Sequence, residues 1–167
     1  MLYMSFVYFI VWQIKNNSPD DFKKALVGFS KDKEKDLLAA TSPFTFWIIN
    51  ESSIFRFLKL IGCGNDKIGR FKKSVDERNH AAHSNGNIFF NAQDTIDEKI
   101  TETVALVQEI QGLSKPTVLN HLKRFLAESV DPDEWLYDDP VALLREVLIH
   151  ENYFSQRDIE ICLEYDI

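Results

Sequence analysis

The first fourteen residues, MLYMSFVYFIVWQI, carry no charged side chain. In water such a stretch has to be covered by something. A membrane-spanning helix needs about 20 apolar residues, and this run falls short. No basic region precedes it and no A-x-A cleavage signal follows it, so neither a span nor a signal peptide is expected. The reading that remains is a core helix, hydrophobic most of the way round, which can also cover a dimer interface. The rest of the fold must then supply its cover.

The chain is able to do so. Its 167 residues fit one domain, or one domain with an extension, and that length can bury a sizeable core. A hydrophobic content of 45%, with 13 phenylalanines, excludes disorder. The net charge of −7 argues against a molecule that binds polyanions over its whole surface. The sign is uneven, however. Between Arg56 and His83 seven basic residues face three acidic ones, whereas Glu128 to Ile167 holds twelve acidic and two basic residues. A local anion site inside an acidic protein is compatible with that asymmetry. Cys63 and Cys162 are the only cysteines and have no CxxC spacing, which suits thiols of a reducing, cytoplasmic compartment.

The punctuation is helical throughout. Caps followed by proline at the first helical position recur at Ser18, Ser42, Asp131 and Asp139. Ser42 is expected to open one long apolar helix, PFTFWIINESSIFRFLKLI, stopped by the break Gly62–Asn65. A second helix, from Asn65 or Asp66, should end at the Asn85-Gly86 turn. NIFF is short and β-like but has no pairing neighbour in the sequence. From Thr95 a further helix places Ile96, Ile100, Val104, Val107 and Ile110 on one side. Gly112 to Ser114 reads as a linker. This gives two units: residues 1–112 as a helical bundle and 113–167 as an acidic helical extension, able to pack as one domain.

RNHAAHSNG, residues 78–86, concentrates the chemistry. On an unbroken helix Arg78 and His83 stand roughly 140° apart, whereas Asn79 and His83 share a face. The arginine and the last histidine therefore converge only if the helix ends inside the motif or if two copies of the chain meet. Taken alone, Arg78 also reads as an ion-pair partner of Asp76 or Glu77, and His83 as a residue that suits a helix C-terminus. His80 reads mainly as a structural neighbour.

The stretch ERNHAAHSNG resembles the signature of the HEPN superfamily (higher eukaryote and prokaryote nucleotide-binding), written R-x4-6-H with a polar residue after the arginine. Arg78, Asn79 and His83 fill those positions. The resemblance implies an all-α fold, here a bundle of four to five helices with short additional C-terminal helices. It implies a homodimer that joins two motifs, and metal-independent cleavage of single-stranded RNA in toxin or phage-defence settings. It implies no cofactor and no metal, and leaves room for an antitoxin or defence-system partner. Such cleavage uses the substrate 2′-OH as nucleophile and needs an acid–base group and a fixed cation. His83 suits the first role and Arg78 the second, because its planar fork holds two phosphate oxygens. Asn79 would orient the group it bonds, while Lys72, Lys73 and, to a lesser degree, His80 would hold RNA. One family subset carries a nucleotidylated tyrosine two residues after the histidine. Asn85 occupies that position here, which puts that control in doubt.

Two alternatives stand beside this reading. QEIQGLSKPTVLNHLKRFL resembles a helix-turn-helix of a DNA-binding regulator, although Gln108 replaces the usual small residue. A simpler account has Ser114 capping a helix with Pro116 in its first turn. The chain can also be an inactive interaction domain or antitoxin whose acidic tail docks a basic partner. A zinc pair at His80 and His83 lacks companion ligands at Cys63, His121 or His150.

Overall fold

The computed structural model of the protein describes residues 2–83, 93–130 and 138–166, without the side chains of residues 2, 78, 80–83 and 93–96. Among the described residues every regular element is a helix and none is a strand, so the class is all-α. None of these helices is long and apolar enough to cross a membrane.

Helix α1 (Leu2–Asn17) is the apolar run. No residue from Tyr3 to Asn17 is exposed, and Val7, Val11 and Gln13 are fully enclosed. The cover comes from α2 (Pro19–Ala25), from the turns that follow it, and from the long helix α6 (Gln93–Glu128). Ser18 precedes α2 as expected, although its side chain makes no capping bond. Between α2 and the next turn, Gly28 takes a positive φ of 96°. Helix α3 (Lys31–Leu38) is capped by Ser30 and contributes Leu37 to the core. Phe57 stacks nearly parallel on Phe22 and on Phe29, with centroids 4.9 and 6.1 Å apart.

The single helix expected from Pro43 to Ile61 does not form. Ser42 does cap its start, accepting from the Phe44 amide. Pro43–Ile48 then winds as a 3₁₀ helix and Ile49 is extended. Asn50 caps a four-residue helix α4 (Glu51–Ile54), and Phe55–Ile61 is again 3₁₀. The buried residues explain the first change. Pro43, Phe46 and Ile49 are all buried and lie three apart, a spacing that eclipses on a 3₁₀ helix and drifts on an α-helix. Phe, Thr, Trp and Ile have little helix propensity to set against that packing. Gly62 ends the segment in the left-handed region, with φ 80°, as the Gly62–Asn65 break predicts.

Helix α5 (Asn65–His83) starts where expected and buries Ile68, Phe71 and Val75. The Asn85-Gly86 turn, the NIFF stretch and the Asp131 cap lie outside the described residues. The apolar series on α6 is helical, but it is buried only at its end. Ile110 is enclosed, Val107 is half-buried, and Ile100 and Val104 are 57% and 46% exposed.

The linker expected at Gly112–Ser114 is absent, and so is the turn of a helix-turn-helix, because α6 runs through both without a break. Ser114 caps no helix start. Its hydroxyl lies 2.7 Å from the Gln111 carbonyl and 3.1 Å from Asp158 Oδ1, and its one proton serves either. Pro116 sits inside the helix, where it removes a backbone donor. The tie from Ser114 to Asp158 and the buried side chains of Thr117 and Val118 hold this stretch against neighbouring elements. Past it, α6 packs on a wider-wound π turn (Leu144–His150), which continues α7 (Pro140–Leu143, capped by Asp139), and on α8 (Gln156–Leu163). Val118, Leu122, Leu148, Phe154 and Ile161 form a second, smaller core there.

Continuity of α6 is directly testable. A Cβ added at Gly112 meets nothing within 4 Å. Gly112→Ala should therefore raise the unfolding free energy by about 0.5–1 kcal/mol through helix propensity. A shift of the denaturant midpoint to lower values would show that this residue is not helical.

Candidate functional site

The motif residues all lie on α5. The helix is unbroken through Arg78, Asn79, His80 and His83, so it does not end between Arg78 and His83. At about 100° per residue, Lys72, Asp76, Asn79 and His83 fall within about 60° of one another and form one row. Arg78 is about 140° from His83 and continues the row of Phe71 and Val75. The side chains of Arg78, His80 and His83 lie outside the described ones. Asn79 is described and half-buried. Lys72 and Lys73 are exposed, and Lys73 pairs with Glu77 at 3.7 Å, an exposed contact worth little. Two other basic residues of the segment are engaged elsewhere. Lys67 and Arg70 both reach Glu109 of α6, at 3.3 and 2.6 Å. These bonds dock α5 against α6, and the local positive charge is smaller than the sequence count implies.

Asn79 lines a cleft of about 590 Å³ between α5, α1 and the 3₁₀ turn. Tyr8, Phe44 and Trp47 contribute rings to it, and Asn50, Glu51 and Asp76 contribute polar ends. This cleft is not visible from the motif, because its other walls lie 27 to 75 residues before Asn79 in the sequence.

A larger cleft of about 770 Å³ lies where α1, α6 and the π turn meet. It brings together His121 and His150, whose separation gives no sequence signal, along with Arg124 and Asn152. His150 Nδ1 lies 3.0 Å from Glu146 at the surface. His121 is buried and serves the fold. Its Nε2 lies 2.9 Å from the Gln13 carbonyl, which can only accept, so Nε2 carries the proton. Nδ1 then accepts from Arg124 Nη2 at 3.2 Å. Burial pushes its pKa down to about 4, the Arg124 charge adds to this, and the bond to Gln13 opposes it. Close by, Asp158 is buried and accepts from the Ser155 amide at 2.8 Å, from the Ser114 and Ser155 hydroxyls, and from Gln13 Nε2 at 3.4 Å. Ser155 and Asp158 form a capping box on α8. Asn152 donates to the Val147 and Leu148 carbonyls left by the π turn. Tyr153 follows in the left-handed region with φ 53°, a conformation disfavoured for a ring-bearing residue. These are polar locks between α1, α6 and α8.

Both cysteines are free, with Cys63 buried and Cys162 half-buried. Burial raises both thiols, Cys162 to about 11, so neither is an activated nucleophile. Among the described residues no three His, Cys, Asp or Glu side chains gather as a metal site.

Compared with known proteins, the chain matches no family model, no curated protein and no solved structure.

The His121 geometry fixes a pH dependence. Its folded pKa lies below the ordinary value of 6.5, so between those two values the unfolded chain binds more protons. Stability from this group is complete above about pH 6.5 and is lost as the pH falls toward about 4, by about 3 kcal/mol at full extent. His121→Gln, neutral at every pH, should flatten that part of the profile in urea titrations. An unchanged slope would assign the acid sensitivity to other groups.

Proposed function

We propose that the protein is a metal-independent endoribonuclease whose active site is assembled from two copies of the chain. The observation that carries this reading is the R-x4-H pattern on a helix unbroken through His83. Arg78 and His83 of one helix stand on different faces, so each site takes Arg78 from one copy and His83 from the other. A two-fold axis makes two equivalent sites at once. The seam between copies then runs along the C-terminal half of α5. The apolar residues Ile100 and Val104, exposed on the neighbouring stretch of α6, are available to it.

The chemistry follows from the residue types. His83 takes the proton of the substrate 2′-OH or returns one to the leaving 5′-oxygen, since an imidazole exchanges protons near neutral pH. Arg78 holds two oxygens of the phosphate as charge builds on them. Asn79, one turn from His83 on the same row, orients a hydrogen-bonded group. Lys72 and Lys73, with His80 beside them, attract the RNA backbone. A cytoplasmic toxin or phage-defence setting, with an antitoxin or defence partner, belongs to the same reading.

The acidic segment from Glu128 onward supports a second reading, an inactive interaction or antitoxin domain that docks a basic partner. The DNA-binding regulator has lost its footing, because its turn is absent from α6.

Purified protein should cut single-stranded RNA in EDTA. Arg78→Ala and His83→Ala should each lower the rate by about 10² to 10⁴, and Asn79→Ala by less. Wild-type protein that leaves RNA intact, with or without divalent metal, favours the interaction domain.

A further inference from the structure

We propose that the apolar groove where α6, the π turn and α8 meet docks an amphipathic helix of another protein, one that inserts a leucine or phenylalanine and carries lysine or arginine on its flanks. The groove lies far along α6 from the motif. Leu122, which lines it, and Ile100, beside the proposed seam between copies, are 22 residues apart on one helix, about 33 Å. The proposal therefore holds whether or not the chain cuts RNA, and a partner seated here leaves the seam open.

The second core is not closed on this side. Its residues Leu122, Leu148 and Phe154 line a pocket of about 170 Å³. Leu144 and Leu163 line it too and remain 41% and 80% exposed. Single apolar residues in water are ordinary, but two that flank an apolar pocket form one patch. The described side chains that line the pocket are all hydrocarbon except the Cys162 thiol, so nothing there orients a polar ligand. The volume sets the size of the occupant. Small-ligand sites take about 300–1,000 Å³, whereas an apolar cavity of about 150 Å³ holds one benzene ring. This pocket fits one large apolar side chain. Helices dock into grooves through such anchors, repeated at i, i+3 or i+4 and i+7. Val141, 59% exposed and one turn before Leu144, lengthens the apolar strip. Among the described residues no strand offers an edge to a partner strand.

Charge sets the flanks. Among the described residues from Asp138 to Asp166, seven carboxylates that are not buried stand against two arginines. Glu160 and Glu164 each follow a residue of α8 that lines the pocket. Lys123 of α6, over the Tyr165 ring, adds one cation nearby. The contacts of Arg157 with Glu160 and Glu164 leave the net charge unchanged. A face of that sign draws in a basic partner and repels an acidic one. It also argues against a second copy of the chain as the occupant, because a two-fold axis would lay this face against itself, carboxylates toward carboxylates.

The test is fluorescence anisotropy with a labelled synthetic peptide of about 15 residues, long enough for a helix, with leucine at i, i+3 and i+7 and lysine on the flanks. Wild type should bind it, and added salt should weaken the binding. Leu144→Ser and Leu163→Ser, both at exposed positions, should each weaken it by about tenfold or more with an unchanged circular dichroism spectrum. A peptide with glutamate in place of lysine should lose as much, and so should a lysine peptide with its leucines scattered. Wild type that binds no peptide overturns the proposal. Equal binding of the scattered peptide, or undiminished binding by both serine variants, overturns it too, since the contact is then bulk charge alone. Conversion of a dimer to a monomer by Leu163→Ser overturns it in favour of a second copy. Binding seen only after Trp135→Ser and Leu136→Ser overturns it in favour of the chain's own residues 131–137. RNA cutting, measured alongside, decides the nuclease reading alone.

Discussion

Burial of α1 is the constraint on which the other elements depend. A helix with no exposed residue from Tyr3 to Asn17 cannot sit at an edge, so it runs through the middle and everything else is arranged as its sheath. The polar groups on it must then be answered from outside the helix. The Trp12 indole N–H donates to the Glu151 carbonyl at 2.7 Å. Lys15 reaches the Ala40 carbonyl at 2.6 Å, and burial lowers its pKa. Gln13 donates its side chain to Asp158 and its carbonyl accepts from His121. Its amide orientation follows, since the opposite flip would set an oxygen against a carboxylate. The Oε1 atom is left buried without a partner among the described residues, a cost of about 1–3 kcal/mol. Each of these bonds joins residues 25 to 145 positions apart, so the sheath is tied to the pillar by specific geometry as well as by apolar contact.

The same pillar shapes the functional face. Met4, Ser5 and Tyr8 near the start of α1 form one wall of the cleft beside Asn79. Helix α5 reaches that place because Ile68, Phe71 and Val75 pack into the main core and Glu109 grips Lys67 and Arg70. Asn79 is half-buried and stands one turn past the buried Val75. In the proposed nuclease this helix gives the motif a fixed backbone.

Much of this was legible in the residues. The buried α1, the caps at Ser42 and Asp139, the proline at the start of α2, the stop at Gly62 and the start of α5 all follow from local chemistry. What escaped was decided by tertiary contact. The 3₁₀ turn at Pro43 followed a period of three among Pro43, Phe46 and Ile49, which a count of apolar residues does not separate from a helix. Gly112 pointed to a linker and Pro116 to the first turn of a new helix, yet α6 runs through both, with Ser114 bonded to Asp158. His121 and His150 meet in one cleft only after α6 and the π turn are in place. Arg78, Asn79 and His83 were legible as a motif, but the aromatic and acidic walls beside Asn79 were not, because they arrive from α1, α4 and the turn before it.

In the proposed nuclease one helix carries halves of two different sites. Arg78→Ala and His83→Ala, each inactive alone, can be co-expressed so that mixed dimers form. With random pairing, half of the dimers are mixed and each holds one intact site, so about a quarter of wild-type RNA cleavage should return. A co-expressed sample as inactive as either variant alone would place both residues in a single chain's site and contradict the account.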